Sequence, residues 1–139
     1  MSARDVLDGL MVAFESKDLE SVMSFFADDA VLFDPHYPVQ RMEGKAAIRQ
    51  GMAWGLGNME KAGFAIRHFW SDGDSGAVEL DTHHIFKGGI EVKFDQVFVF
   101  EIQDGKLKRL QSYVPYAPPG IGGLLPKLTR LIWRLKGKG

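Results

Sequence analysis

Phe26-Ala27-Asp28-Asp29-Ala30-Val31-Leu32-Phe33-Asp34-Pro35 is the stretch on which the fold turns. Its pattern predicts a helix ending near Phe26, an acidic turn at Asp28-Asp29 and a short strand from Ala30 to Asp34. The strand stops there because Pro35 cannot donate a ladder hydrogen bond. Strand side chains alternate, so Asp34 shares a face with Leu32. A carboxylate beside an apolar face is costly to bury unpaired. Asp34 is therefore either a solvated strand-end residue or a carboxylate held in a pocket for use.

Upstream, Val6, Leu7, Leu10, Met11 and Phe14 recur at helical spacing, and Ser2 with Asp5 has the form of a capping box. A second helix starts after Asp18, a good N-cap, with Leu19, Val22, Met23 and Phe26 on one side. Downstream, His36 and Tyr37 sit between Pro35 and Pro38. They either line a pocket mouth or are exposed loop aromatics. A third helix is expected from Lys45 to Lys61, carrying Gly51, Gly55 and Gly57. Each glycine costs roughly 1 kcal/mol against alanine in a helix interior. Gly51 and Gly55 share one face, which points either to a close backbone approach there or to fraying of the helix toward Gly57.

From Phe64 the period changes to two. Strands are expected at 64–70, 77–87, 90–102 and 106–114, with turn chemistry at Asp72 to Gly76, Gly88-Gly89 and Asp104-Gly105. Helices followed by a meander of strands make an α+β domain. On the third of these strands Ile90, Val92, Phe94, Gln96, Phe98, Phe100 and Ile102 share the apolar face, and Gln96 is its polar member. On the strand before it, a three-residue turn at Lys87-Gly88-Gly89 sends Thr82 and His84 inward. A two-residue turn sends Glu79, Asp81 and His83 inward instead. The first is favoured because it matches apolar with apolar. On the last strand Leu110, Ser112 and Val114 face in. The polar interior is thus Asp34, Thr82, His84, Gln96 and Ser112, with His36 and Tyr37 at the rim. His83 and His84 point to opposite faces, so they cannot ligate one metal ion together.

The segment FADDAVLFDPHYPVQRMEGKAAI, residues 26–48, resembles the same region of ketosteroid isomerases and the wider nuclear transport factor 2-like (SnoaL-like) superfamily. The shared pieces are the Ala-Asp-Asp-Ala turn, the Asp-Pro pair, and Gly44, Ala47 and Ile48 at a helix start. Asp104-Gly105-Lys106-Leu107 with Ser112-Tyr113 is similar to the family's last hairpin. The likeness spans about Val6 to Tyr116. It implies a cone: a strongly curved antiparallel sheet packed on N-terminal helices, in the cystatin-like manner, with a homodimer formed through the outer sheet face. It also implies chemistry. In ketosteroid isomerases a carboxylate moves a proton beside a ketone, while a Tyr and a protonated Asp hold the enolate oxygen. The base maps onto Asp34. The two donors map onto Leu10 and Phe98 (or Val97) and are absent. Losing one such donor typically costs ~10²–10³ in rate. The role then falls to His84, Gln96 or Ser112, with Phe94 and Phe98 as apolar walls. The Asp-Arg-Asp set of the family's epoxide hydrolases has no counterpart, because no second interior carboxylate or arginine is found. The expectation is general-base proton transfer on a small hydrophobic carbonyl-type substrate, without cofactor or metal. The alternative is a non-catalytic ligand-binding or dimerisation domain of the same fold.

At 139 residues the chain reads as one domain, 1–117, with a tail at 118–139. Without cysteine, thiol catalysis and disulfides are excluded. No signal-peptide pattern opens the chain and no run is apolar enough to span a bilayer, so the cytoplasm is the expected location. All 18 acidic residues precede the tail, which holds Lys127, Arg130, Arg134, Lys136 and Lys138. An acidic body argues against nucleic acid as a partner. The tail's leucines fall at helical spacing, with Pro126 suited to a first turn. Such a basic amphipathic helix packs over the cone or a neighbouring subunit, lies on an anionic membrane as a peripheral contact, or stays disordered.

Overall fold

The computed structural model describes residues 1–115 and 121–137. Helix α1 (Ala3–Glu15) opens with the expected capping box: Asp5 N–H donates to Ser2 Oγ at 3.1 Å and Ser2 N–H to Asp5 Oδ2 at 2.9 Å. Such a cap is worth about 1 kcal/mol. Its apolar stripe, Val6, Leu7, Leu10, Met11 and Phe14, is buried. Helix α2 (Leu19–Ser24) is capped by Asp18, which accepts from Ser21 N–H at 3.1 Å.

The helix ends sooner than its spacing predicts. Phe26 opens strand β1 (Phe26–Phe33), and Asp28 and Asp29 lie within that strand, exposed, rather than in a turn. The register against its neighbour slips between Phe26 and Val31. A slip of this kind accommodates the two acidic residues on the wet side, where Asp29 pairs with Lys108. Strand β2 (Arg41–Glu43) folds back on β1, and helix α3 (Lys45–Asn58) follows. It is shorter than expected, because Met59 leaves it to begin the edge strand β3 (Met59–Lys61).

The meander is as its alternation predicts: β4 (Phe64–Asp72), β5 (Ser75–Phe86), β6 (Ile90–Gln103) and β7 (Lys106–Tyr113). The sheet runs β2-β1-β7-β6-β5-β3, with β4 also on β5. One pair departs from the antiparallel expectation: β1 and β7 are parallel. A tight hairpin forces its strands antiparallel, whereas these two are joined through most of the chain and nothing local fixes their direction. Register slips at Ile66/His68 and Glu101/Ile102 bend the long strands, so the sheet curves around α1. Gly76 makes a tight crossing possible. A Cβ there would lie 2.1 Å from the Trp70 carbonyl oxygen and 2.9 Å from Phe100.

Helix α4 (Ile121–Leu135) follows, with Pro126 inside it rather than in its first turn. No helix among the described residues is long and apolar enough to cross a membrane.

Candidate active site

The concave face of the sheet, α1 and α3 enclose a cavity of about 270 Å³. Its wall is overwhelmingly apolar: Phe14, Phe26, Phe64, Phe94 and Phe98 from helix and sheet, with methionines and Trp54 from α1 and α3. The polar side chains that reach it are Asp34, His36, Tyr37, His84 and Gln96. Leu10 and Phe98, which the resemblance sets where ketosteroid isomerases carry oxyanion donors (with Val97 as the alternative to Phe98), both line it as apolar residues.

Asp34 follows β1 directly and is 8% exposed. Its backbone closes the loop on itself: Asp34 N–H donates to the Gln40 carbonyl at 2.9 Å and Tyr37 N–H to the Asp34 carbonyl at 3.3 Å. The side chain is oriented by the next residue but one. Oδ1 receives the His36 backbone N–H at 2.9 Å and His36 Nδ1–H at 2.6 Å. A carboxylate oxygen can only accept, so the imidazole is the donor, and the short distance suits a charge-assisted bond. Oδ2 has no hydrogen bond among the described residues, and no buried oxygen is sealed without a partner. The oxygen without a protein partner belongs to a side chain that lines the cavity.

His84 shows the complementary arrangement. The three-residue turn at Lys87-Gly88-Gly89 pairs Phe86 with Ile90 and His84 with Val92, so His84 faces inward and His83 outward to Glu91 at 2.6 Å. Burial holds the His84 pKa down to about 4, with His36 lowering it further and Asp34 opposing. The ring is neutral at neutral pH. Its Nδ1 accepts the Gly63 N–H at 3.2 Å, which puts the single ring proton on Nε2. That N–H has no acceptor among the described residues and is not sealed in, and His84 is one of the side chains that line the cavity. Phe64 stands edge-on at 5.0 Å and fixes the ring plane. Phe94 is the wall shared by the two histidines, 4.6 Å from His36 and 6.4 Å from His84.

Tyr37 is not at the rim but inside, 9% exposed. The missing side chain of Gly55 admits it: a Cβ there would lie 2.9 Å from its ring, while the bare Gly51 makes room for Met42, whose Sδ would lie 2.3 Å from a Cβ. Burial first, then the charge of Asp34, pushes its phenol well above the usual tyrosine range. It stays protonated and can only be a hydrogen-bonding group there.

Gln96, Thr82 and Ser112 form a closed ladder behind the wall. Ser112 Oγ–H donates to Gln96 Oε1 at 2.7 Å, and Gln96 Nε2–H donates to Thr82 Oγ1 at 2.6 Å. Thr82 and Ser112 are 2% exposed and do not line the cavity. Their placement departs from the expectation that they bind ligand. The glutamine amide spends its oxygen and one proton on its neighbours, so it retains at most one N–H for a ligand.

Sequence reasoning missed Gly63, whose backbone sets the His84 tautomer, and Trp54, which packs edge-on to Tyr37 at 5.7 Å. Gly63 carries no signal in its side chain. Trp54 had one: it follows Gly51 on a helix already expected to face inward.

The profile of the SnoaL-like domain matches residues 7–110. No curated protein matches the chain. Among solved structures, an LEH-like epoxide hydrolase from M. tuberculosis superposes with a TM-score of 0.72 at 22% identity, covering 94% of each chain. A protein of ketosteroid isomerase-like fold from Catenulispora acidiphila, in complex with trimethylamine, gives 0.71 at 17% identity over 81% of this chain and 86% of that one. A computationally designed 17-OHP binder gives 0.72 at 20% identity over 84% and 94%. At these identities the likeness is one of fold.

Proposed function

The chain belongs to the SnoaL-like family, and from the cavity's two open polar ends we propose that it is a cofactor-independent enzyme moving a proton on a small hydrophobic carbonyl compound. Asp34 Oδ2 is the general base. It takes a proton from the carbon next to the carbonyl, and the electron pair moves to the carbonyl oxygen. The enolate oxygen accepts a hydrogen bond from His84 Nε2–H, and the proton returns from Asp34 to a carbon of the enolate system to complete an isomerisation. His36 holds Asp34 in place through the 2.6 Å bond. The observation that carries this is geometric: His84, with Nδ1 occupied by the Gly63 N–H, and Asp34, with Oδ1 occupied by His36, line one apolar cavity. A preorganised donor in an apolar, water-poor site is worth far more than the same group in water.

The test is proton–deuterium exchange at the acidic carbon of 2-tetralone, a compact bicyclic ketone, followed by NMR in D₂O. A positioned base typically contributes ~10²–10⁴ in rate. Asp34→Asn, nearly isosteric, is expected to lower enzyme-accelerated exchange at least about 100-fold while the melting temperature holds. Apolar residues at both expected donor positions favour a second reading, a ligand-binding domain. It prevails if 2-tetralone shifts the His84 and Trp54 resonances, and so occupies the cavity, while exchange stays at the buffer rate.

A further inference from the structure

We propose that α4 is an interfacial helix that seats the protein on an anionic lipid surface. At about 100° per residue, Leu124, Leu125, Leu128, Leu131, Ile132 and Leu135 fall within an arc of roughly 120°. These six side chains are between 45% and 79% exposed, whereas the stripe of α1 is buried. A contiguous apolar stripe left open in water marks a docking surface.

Charge decides the occupant. Lys127 and Arg134 flank one edge of the stripe and Lys136 the other, with Arg130 opposite. None of the four has an ion pair among the described residues, and the last acidic residue in the chain is Asp104. Packing on the acidic body would have paired them. Pairing with α4 of a second copy would bring two sets of like charges together along the same edges. An anionic bilayer satisfies both features at once: the leucines enter the acyl boundary and the long basic side chains reach up to the headgroups from either edge. The helix is too short and too charged to span.

The test is co-sedimentation of the full chain with phosphatidylcholine vesicles, pure or carrying about 30 mol% phosphatidylserine, at about 0.1 M and 0.5 M salt. Expected is at least tenfold stronger partition onto the anionic vesicles, a fall of at least tenfold at the higher salt, and loss of binding in Leu128→Glu/Leu131→Glu. The double variant should melt like the wild type, since it alters only exposed positions. Equal retention on both vesicle types, or retention unchanged in the variant, overturns the proposal. So does a lower sedimenting mass of the variant without lipid, which would make the stripe an interface between copies. A lowered melting temperature of the variant would place the stripe on the body and overturn it as well.

Discussion

His84 ties the stability of the fold to pH in a way that can be calculated and checked. Its folded pKa is about 4, against an ordinary value of 6.5, and burial is the main cause. A base whose folded pKa is depressed binds its proton more readily when unfolded. Above pH 6.5 both states are neutral at this ring and the stability it permits is fully present. As pH falls from 6.5 toward 4 the unfolded chain takes up the proton and the folded one does not, so stability declines. Integrated from pH 7.5 to 4.5, this one group removes roughly 2–3 kcal/mol. His84→Gln cannot titrate, and the groups common to both proteins cancel in the difference. Urea melts of the two proteins at both pH values should therefore show a loss larger by roughly 2–3 kcal/mol in the wild type. A long-range ¹H–¹⁵N NMR spectrum near pH 6 should show a neutral ring protonated on Nε2. Equal pH slopes in the two proteins, or an imidazolium at pH 6, would refute both the buried neutral ring and the donor role built on it.

Two further outcomes test the packing that frames the cavity. Ser112→Ala leaves Gln96 Oε1 without its donor in a buried place, and should cost about 1–3 kcal/mol by denaturant melting; a change under about 0.5 kcal/mol would mean the ladder is not closed as described. Gly76→Ala should destabilise by about 3 kcal/mol, because its Cβ meets a backbone oxygen that cannot swing aside, whereas Gly57→Ala, with nothing within 4 Å, should stabilise α3 by roughly 0.5–1 kcal/mol.

The sheet was legible from Phe64 onward because one face of each strand is buried, and burial on one face writes itself as alternation. The same pattern chose His84 over His83 through the length of the turn at Gly88-Gly89. Around β1 the local signal misled. Ala27-Asp28-Asp29-Ala30 has the residue types of a turn, yet it stays in the strand as the irregular stretch between the two points, Phe26 and Val31, where β1 pairs with β7, and the wet side tolerates its charges. Long-range pairing overrode local preference there, as it did for Met59 at the end of α3. Tyr37 was misplaced for a related reason. Nothing in its own loop announces burial; the information lies in Gly55 on another element.

The polar interior residues looked alike in sequence, each a polar member of an apolar face, and what separates them is hydrogen-bond satisfaction. Gln96 sits opposite Leu80, and Thr82 and Ser112 are its diagonal neighbours on the strands either side, within reach of a long amide. The three groups satisfy one another, so an incoming ligand gains little from them and their loss is felt as stability. Asp34 and His84 are satisfied at one end only. Oδ1 and Nδ1 are held by protein groups, and those bonds fix the direction of Oδ2 and Nε2–H. An open carboxylate oxygen and an open N–H in an apolar cavity are costly unless water or a ligand meets them. One is an acceptor and the other a donor, and that is the pair of needs a carbonyl compound with an acidic C–H presents. The ladder therefore belongs to the fold, and the half-satisfied pair is where function should be sought.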